Sequence, residues 1–531
     1  MNWNLPYPSG RQPVMGRNVI ATSQPLAAQA GAAAFARGGN AIDAALAAAI
    51  TLTVVEPTMS GIGGDAFALV WEDGKLHGLN ASGRAPAAWD SDRFKDLRIM
   101  PERGWESVTV PGQVAGWIDL SRRFGALPFA DLFVDAIRHA RDGFPVSPVI
   151  ARQWKQGVAD LRTHPGFDAF TLEGRAPEAG EIWRFSDQAD TLEEIARTEG
   201  ASFYTGRLAA ALVDFAQVHG GAMTNDDLGA HRSAWVDPIA VDFHGYQLHE
   251  IPPNGQGLAA LLALGILERL PYKGTAVGSA ARMHLEIEAM RAAFADTHAH
   301  LGDIEHMRFT PAQLLAPAYL DARAGSIDPA RASKHVSGAP PIGGTVYLCA
   351  ADAQGRMVSY IQSNYRGFGS GVVLPGTGIS LHNRGSGFVT TPGHPNEVGG
   401  GKRPSHSIIP AFLTKDGKPV MAFGVMGGNM QAQGHVQIIL RHVVEGLNPQ
   451  ACSDAPRWRI NDTATLTVEP TVPPDVVAAL TAMGHAPVVL AADNLDFGSA
   501  QLAACLPTKP GEGAAYVAGS DHRRDGQAIA V

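Results

Sequence analysis

Apolar and polar positions alternate along residues 345–351. Thr345, Tyr347 and Cys349 fall on one face, and Val346, Leu348 and Ala350 on the other. That two-residue period predicts a strand. Ahead of it lie Gly343-Gly344 and a connector of small residues and proline, residues 336–342, so a threonine stands at a loop-to-strand junction. Asp352-Ala353-Gln354-Gly355 reads as a turn and residues 357–364 as the returning strand, which brings Ser363 and Asn364 near that threonine. A second hairpin, residues 408–414 and 420–425, closes around Lys415-Asp416-Gly417-Lys418. Its second strand runs into Met426-Gly427-Gly428-Asn429, where a helix opens and continues to Val444 before Gly446 stops it.

Upstream, residues 23–37 carry an alanine-rich helical pattern ended by Gly38-Gly39, and Asn40 caps a second helix over residues 41–54. Gly61-Ile62-Gly63-Gly64 then leads into an apolar strand over residues 66–71. A phosphate-binding reading needs a helix at that point, so the glycines mark a close backbone approach instead. Residues 79–86 end a strand in a polar loop holding Arg84, and Val110-Pro111-Gly112 opens another helix. Residues 120–240 read as largely helical, and residues 252–257 as a loop into an alanine- and leucine-rich helix. A long helix over residues 281–300 carries His284, Glu286, Glu288, Asp296, His298 and His300. Asp296, His298 and His300 are two apart, a spacing that a helix spreads around its circumference, and no metal site is expected there.

The 531 residues are 45% hydrophobic and 18% charged, an ordinary globular balance with ample core. The net charge of −9 argues against nucleic-acid and acidic-membrane partners. Cys349, Cys452 and Cys505 are too scattered for a disulfide framework or metal knuckle. The first residues lack a signal-peptide pattern, and the longest apolar run, residues 44–55, is too short to span a membrane. A cytoplasmic location is expected.

Threonine becomes a good nucleophile when a base takes its proton, and an N-terminal threonine carries such a base in its own α-amine, with a reference pKa of about 7.7–8.0. For Thr345 this requires a cut after Gly344. The junction is therefore either a plain strand start or a place where Thr345 attacks the Gly344 carbonyl and afterwards attacks substrate amides. Likewise, Gly427-Gly428 is either a tight turn or, beside a nucleophile, a source of backbone N–H groups for an oxyanion. Arg84 is either a surface arginine or an anion clamp.

The ordered stretches Gly38-Gly39-Asn40-Ala41-Ile42-Asp43-Ala44-Ala45, Ser60-Gly61-Ile62-Gly63-Gly64, Val110-Pro111-Gly112, Ala293-Phe294-Ala295-Asp296, Lys402-Arg403-Pro404, Gly427-Gly428 and Asp454-Ala455-Pro456-Arg457, with the Thr345 strand, resemble the γ-glutamyltransferase family of N-terminal-nucleophile hydrolases. The resemblance covers nearly the whole chain. It implies an α+β fold, a four-layer αββα sandwich co-folded from two self-cleaved fragments, residues 1–344 and 345–531. It also implies a heterodimer of those fragments, able to pair further, with no metal or organic cofactor. Residue by residue it makes Thr345 the nucleophile and Ser363 its hydroxyl partner. Gly427 and Gly428 become the oxyanion pair, and Ser407 one of two serines that hold a substrate α-carboxylate.

The departures bear on substrate. His406 replaces the first carboxylate-binding serine. The family's clamping arginine falls near Ser82, two residues before Arg84. Tyr365, Arg384 and Gly387 stand where the family recognises an ammonium, so an acid is lost and a cation gained, and a cation repels an ammonium. The segment between Phe388 and Lys402 is shorter than in relatives with a lid. The chain thus resembles a divergent branch containing oxamate amidohydrolase and the cephalosporin and glutaryl acylases. Three functions follow as expectations. The first is hydrolysis of an amide of a short acidic acyl group, held by Arg84, Tyr365, Arg384, His406 and Ser407, with water as acceptor. The second is true γ-glutamyl transfer or glutathione hydrolysis, and the third a non-catalytic binding protein.

Overall fold

The computed structural model describes Trp3, Gly10, residues 11–333, 344–461 and 463–531; the connector at residues 336–342 and Gly343 lie outside the described residues. Alternation along residues 345–351 produces the expected strand, Gly344–Ala351, third of the seven strands of one sheet. It pairs on one side with Met357–Tyr365 and on the other with Val19–Thr22. The same sheet runs outward through Asp65–Glu72, Lys75–Ala81 and Ala234–Val236 in one direction, and to Gln527–Ala530 in the other.

A second seven-stranded sheet stacks on the first. Its order is Val14–Gly16, Tyr516–Ser520, Ser499–Cys505, Lys418–Met426, Ala411–Lys415, Tyr246–Glu250 and Ile239–Phe243. The Gly344–Ala351 and Lys418–Met426 strands face each other across the interface. There the Tyr347 ring lies over Gly424, where any side chain would collide with it. The Tyr347 hydroxyl meets Ser359 Oγ at 2.8 Å, and Ser359 Oγ donates to the Phe423 carbonyl at 3.2 Å, so these two buried hydroxyls are paired.

Helices cover both outer faces, giving four layers, αββα. Pro25–Ala36 and Ala41–Val55 lie on the first sheet. The second helix is apolar on every side and wholly buried, and Asn40 and Asp43 close a capping box at its start, a feature worth about 1 kcal/mol. Gly257–Leu267, Ala280–His300 and Met430–Ile439 cover the other face. The helical segment expected over residues 120–240 is present, with Trp154 and Trp183 buried in it, but it ends in strands: Ala234–Val236 joins one sheet and Ile239–Phe243 lies at the edge of the other. The helix starting at Met430 passes into a π-turn at Leu440–Val444 before Gly446. Among the described residues no helix is long and apolar enough to cross a membrane.

Candidate active site

Thr345 sits where the inner strand is irregular. Its neighbours pair in different registers, Gly344 with Tyr365 and Val346 with Gln362, so Thr345 forms a bulge opposite Ser363 and Asn364. Tyr365 takes a left-handed backbone at φ 77° to complete that irregularity, and its N–H donates to Ser363 Oγ at 2.6 Å. On the next strand over, Ser363 pairs with Asp65. The glycines before Asp65 do make the close approach their pattern predicts: a side chain at Gly64 would strike the Ser363 carbonyl and the Gln113 amide.

The Thr345 side chain is buried, and its Oγ accepts from Gln431 Nε2 at 3.1 Å. Gln431 in turn accepts from the Ile409 N–H at 3.0 Å. This glutamine, in the first turn of Met430–Ile439, was not identified from the sequence; its one visible signal there is a position three residues past the Gly-Gly turn. Gly427 and Gly428 form that turn with φ of 118° and 63°. Their carbonyls accept from Met430 N and Gln431 N, and Gln256 Nε2 also donates to the Gly428 carbonyl at 2.8 Å. The two carbonyls are thus committed to the helix and to Gln256, and Gly427 lines the same cavity as Thr345.

Two cavities, each of about 250 Å³, flank this turn. One contains Thr345 and Gly427. The other contains Tyr365, Gly387, His406, Ser407 and Gln256 among apolar walls such as Phe294 and Phe388. Val389, His394 and Asn396, from the short segment after Phe388, line its side.

Beneath the second cavity lies a buried polar cluster. Asp65 accepts from the backbone N–H groups of Gly83 and Gly112 at 3.1 and 3.0 Å and from His406 Nε2 at 3.2 Å. His382 Nδ1 accepts from Arg384 N at 3.0 Å, so its Nε2 carries the hydrogen and faces Asp65 at 3.7 Å. Burial opposes ionisation of Asp65, yet the two imidazoles and Arg384 beside it hold its carboxyl below the usual carboxylate range. Burial, and then the Arg384 charge, push His406 down to about 3, leaving it neutral at pH 7. Arg384 is 1% exposed and stacks over the Tyr365 ring at 4.3 Å; its Nη1 donates to Ser407 Oγ at 2.9 Å. Burial lowers it to about 10, still a cation at neutral pH. Its Nε and Nη2 have no acceptor among the described residues.

The structure thus brings Tyr365, Arg384, Gly387, His406 and Ser407 together, and sets Thr345, Ser363, Gly427 and Gly428 beside them. Arg84 is elsewhere. Its guanidinium meets Asp303 at 3.3 Å and the Gly401 carbonyl at 2.8 Å, and it lines a separate cavity with His231 and Arg403. The loop turns at Gly83, which is packed against Val110, and so carries Arg84 away from the other residues.

On the long helix, Asp296 pairs with Arg323 at 2.9 Å and His298 stacks on Phe294, so the acid and the histidine two apart have separate partners. A different trio, His284, Glu288 and His485, has ligand atoms within 4.8 Å of one another. His284 Nε2 donates to the Asp328 carbonyl, so its Nδ1 is the acceptor for His485 Nε2 at 2.7 Å. Arg291 lies 3.3 Å from Glu288 and 3.4 Å from His485. The three groups are thus tied to one another and to Arg291.

A threonine opening an inner strand of an αββα sandwich defines the N-terminal-nucleophile hydrolase class. Within it the chain belongs to the γ-glutamyltransferase family: the family model described as gamma-glutamyltranspeptidase matches residues 27–531. Among its relatives is the glutathione hydrolase-like YwrD proenzyme of Bacillus subtilis, 38% identical over 84% of this chain and 86% of that protein. Another is the oxamate amidohydrolase proenzyme of Klebsiella pneumoniae, 37% identical over 88% and 90%. The crystal structure of cephalosporin acylase from Bacillus halodurans superposes with a TM-score of 0.94 at 45% identity, covering 100% of this chain and 99% of that one. The protein is a hydrolase of this family.

Proposed function

We propose that the protein is a self-processing amidohydrolase whose acyl group is short and acidic and lacks an α-ammonium. The observation that carries this reading is Arg384. A fully buried cation donates to Ser407 and stacks on Tyr365, two residues that line the acyl-side cavity, and has two further donors without an acceptor among the described residues. It can hold a carboxylate in bidentate fashion and would repel an ammonium. Names among the relatives, oxamate amidohydrolase and acylase, support the same substrate class, and the word proenzyme supports self-processing.

In this reading the chain is cut between Gly344 and Thr345, giving fragments 1–344 and 345–531. The freed Thr345 amine takes the proton of its own hydroxyl, and Oγ bonds to the substrate carbonyl carbon. The Gly427 and Gly428 N–H groups stabilise the oxyanion, a contact worth roughly 3–4 kcal/mol per donor. Ser363 and Gln431 orient the hydroxyl. As the C–N bond breaks, the amine passes its proton to the leaving nitrogen. Water then adds to the ester, its proton going to the Thr345 amine and on to Oγ, and the free acid departs.

Intact-mass spectrometry and a matched substrate set test this. The wild type should give two masses that meet at Gly344/Thr345 and hydrolyse glutaryl or oxalyl amides with a higher kcat/KM than the γ-glutamyl amide of the same amine. Thr345→Ala should give one mass and no turnover. A preference for the γ-glutamyl amide would instead establish a glutathione hydrolase, and turnover by the uncleaved Thr345→Ala protein would sink the mechanism.

A further inference from the structure

The strands Ala411–Lys415 and Lys418–Met426 pair as a hairpin, and their ladder stops at Ala411 opposite Phe423. Beyond that pair residues 407–409 leave the ladder, whereas Val425 and Met426 stay paired with Ala500 and Ser499 on their other side. The fork that opens holds two parts of the site, Ser407 on one arm and the Gly427-Gly428 turn at the end of the other. Backbone groups freed in this way need new partners, and two glutamine side chains supply them. Gln431 Oε1 accepts from the Ile409 N–H at 3.0 Å. Gln256 Nε2 donates to the Ser407 carbonyl at 2.6 Å and to the Gly428 carbonyl at 2.8 Å. One NH₂ group thus lies between the two arms with both of its hydrogens in use, and two carbonyl acceptors fix which end of the amide is nitrogen.

Gln256 is itself held in place. It is 7% exposed, and its N–H donates to the His406 carbonyl at 2.9 Å. The His406 N–H donates to the Asn254 carbonyl at 2.8 Å, and Asn254 Nδ2 to the Pro404 carbonyl at 2.8 Å. Residues 254–256 therefore run beside residues 404–406 as a short strand would, and deliver the Gln256 side chain to the fork. The Gly428 carbonyl also accepts from the Gln431 N–H at 3.2 Å. Ser407, Ile409, Gln431, Gly428 and Gln256 are thus joined in a closed ring. At one end of the ring Gln431 Nε2 reaches Thr345 Oγ at 3.1 Å, and at the other Arg384 Nη1 reaches Ser407 Oγ at 2.9 Å.

Such a ring fixes a distance. In the amidohydrolase reading the reacting carbonyl lies at the Gly427-Gly428 turn and the acid end of the acyl group at Ser407 and Arg384. The gap that Gln256 spans is then the length that the acyl chain must match, and Gln256 lines the acyl-side cavity as well. We propose that Gln256 is a positioning residue that sets the acyl-chain length the enzyme accepts, by locking the Ser407 segment to the Gly428 turn. This rests on the amidohydrolase reading of Thr345.

The test measures kcat and KM of the mature two-fragment enzyme for the oxalyl, malonyl, succinyl, glutaryl and adipyl monoamides of one amine. The wild type should favour one length over its neighbours by at least about tenfold in kcat/KM. Gln256→Met keeps the length of the side chain and removes both donors. It should lower kcat for the preferred acid by about tenfold or more, move KM less, and bring the ratio between neighbouring lengths toward one. Gln256→Glu, of nearly the same shape and without the two donors at neutral pH, should do the same. A flat wild-type profile, an unchanged length ratio in a folded variant, or a uniform loss across all the acids, which a purely structural residue would give, overturns this inference and leaves the amidohydrolase reading standing. Failure of both variants to fold does so too. Turnover of none of the acids by the wild type removes both.

Discussion

Thr345 is a residue whose surroundings do more than its identity. Its Oγ has one protein donor that can be tested without touching the nucleophile: Gln431 Nε2 at 3.1 Å, anchored by the Ile409 N–H. A hydrogen bond that fixes the hydroxyl should matter more to the chemical step than to binding. Gln431→Ala is therefore expected to lower kcat by about tenfold or more with little change in KM. Gln431→Glu, which keeps the acceptor for Ile409 but loses the donor, should behave likewise; a change confined to KM would show that the side chain serves substrate binding instead.

At the scale of elements, the strand Lys418–Met426 and the helix Met430–Ile439 meet in two glycines because no other residue fits. Gly427 at φ 118° would place a side-chain carbon 3.0 Å from Gly498 Cα, and Gly428 at φ 63° is left-handed. Gly427→Ala must shift the turn, with a stability cost of about 1–3 kcal/mol, and the shift moves the N–H groups that the proposed mechanism uses. The expected outcome is a lower melting temperature together with a fall in kcat of at least about a hundredfold. Wild-type kcat in this variant would exclude the turn as the oxyanion site. The pattern of residues 408–428 made this hairpin and helix legible in advance, since turn chemistry and alternation are local. The closeness of Gly498, seventy-one positions further on, is a tertiary fact.

The whole molecule interleaves residues from both sides of position 344. The Gly344–Ala351 strand lies between Val19–Thr22 and Met357–Tyr365, and the other sheet inserts four strands from beyond residue 345 between Val14–Gly16 and Tyr246–Glu250. Cutting one peptide bond leaves those ladders intact. The two fragments are expected to co-elute in size-exclusion chromatography and to separate only in denaturant, through one cooperative transition; separation under native conditions would refute this.

Stability of the same fold should fall in acid. Burial is the chief cause that depresses His231, His249, His298 and His485 to about 4 and His406 to about 3, against an ordinary value near 6.5. Between those values the unfolded chain binds protons that the folded chain refuses, so stability is full above about 6.5 and declines as pH drops toward 3. Each histidine contributes up to about 1.4 kcal/mol per pH unit there. Glu56, raised to about 7 by burial, works in the opposite sense between its ordinary value and 7. Burial likewise raises Asp43, Asp119, Glu250, Glu286 and Asp296 and lowers His77, His139, His244 and His382. Nine lowered histidines thus stand against six raised carboxyls, and the urea midpoint, read by fluorescence, should fall from pH 6.5 to 4; a flat profile would contradict the buried, neutral imidazoles.

By itself the sequence determined what depends on neighbours in the chain. The capped helix at Asn40, the Thr345 hairpin, the Gly427-Gly428 turn and the family motifs all follow from local pattern, turn chemistry and spacing. Tertiary structure decided what depends on charges and donors brought together from distant positions. It joined Asp65 to His382 and His406, laid Arg384 over Tyr365, and took Arg84 away to Asp303. It also set Gln256 between Ser407 and Gly428. No local pattern marks such a gathering, because a buried arginine and a surface arginine look alike in sequence, and only the packing of two sheets and their helices fixes which donors are left facing a substrate.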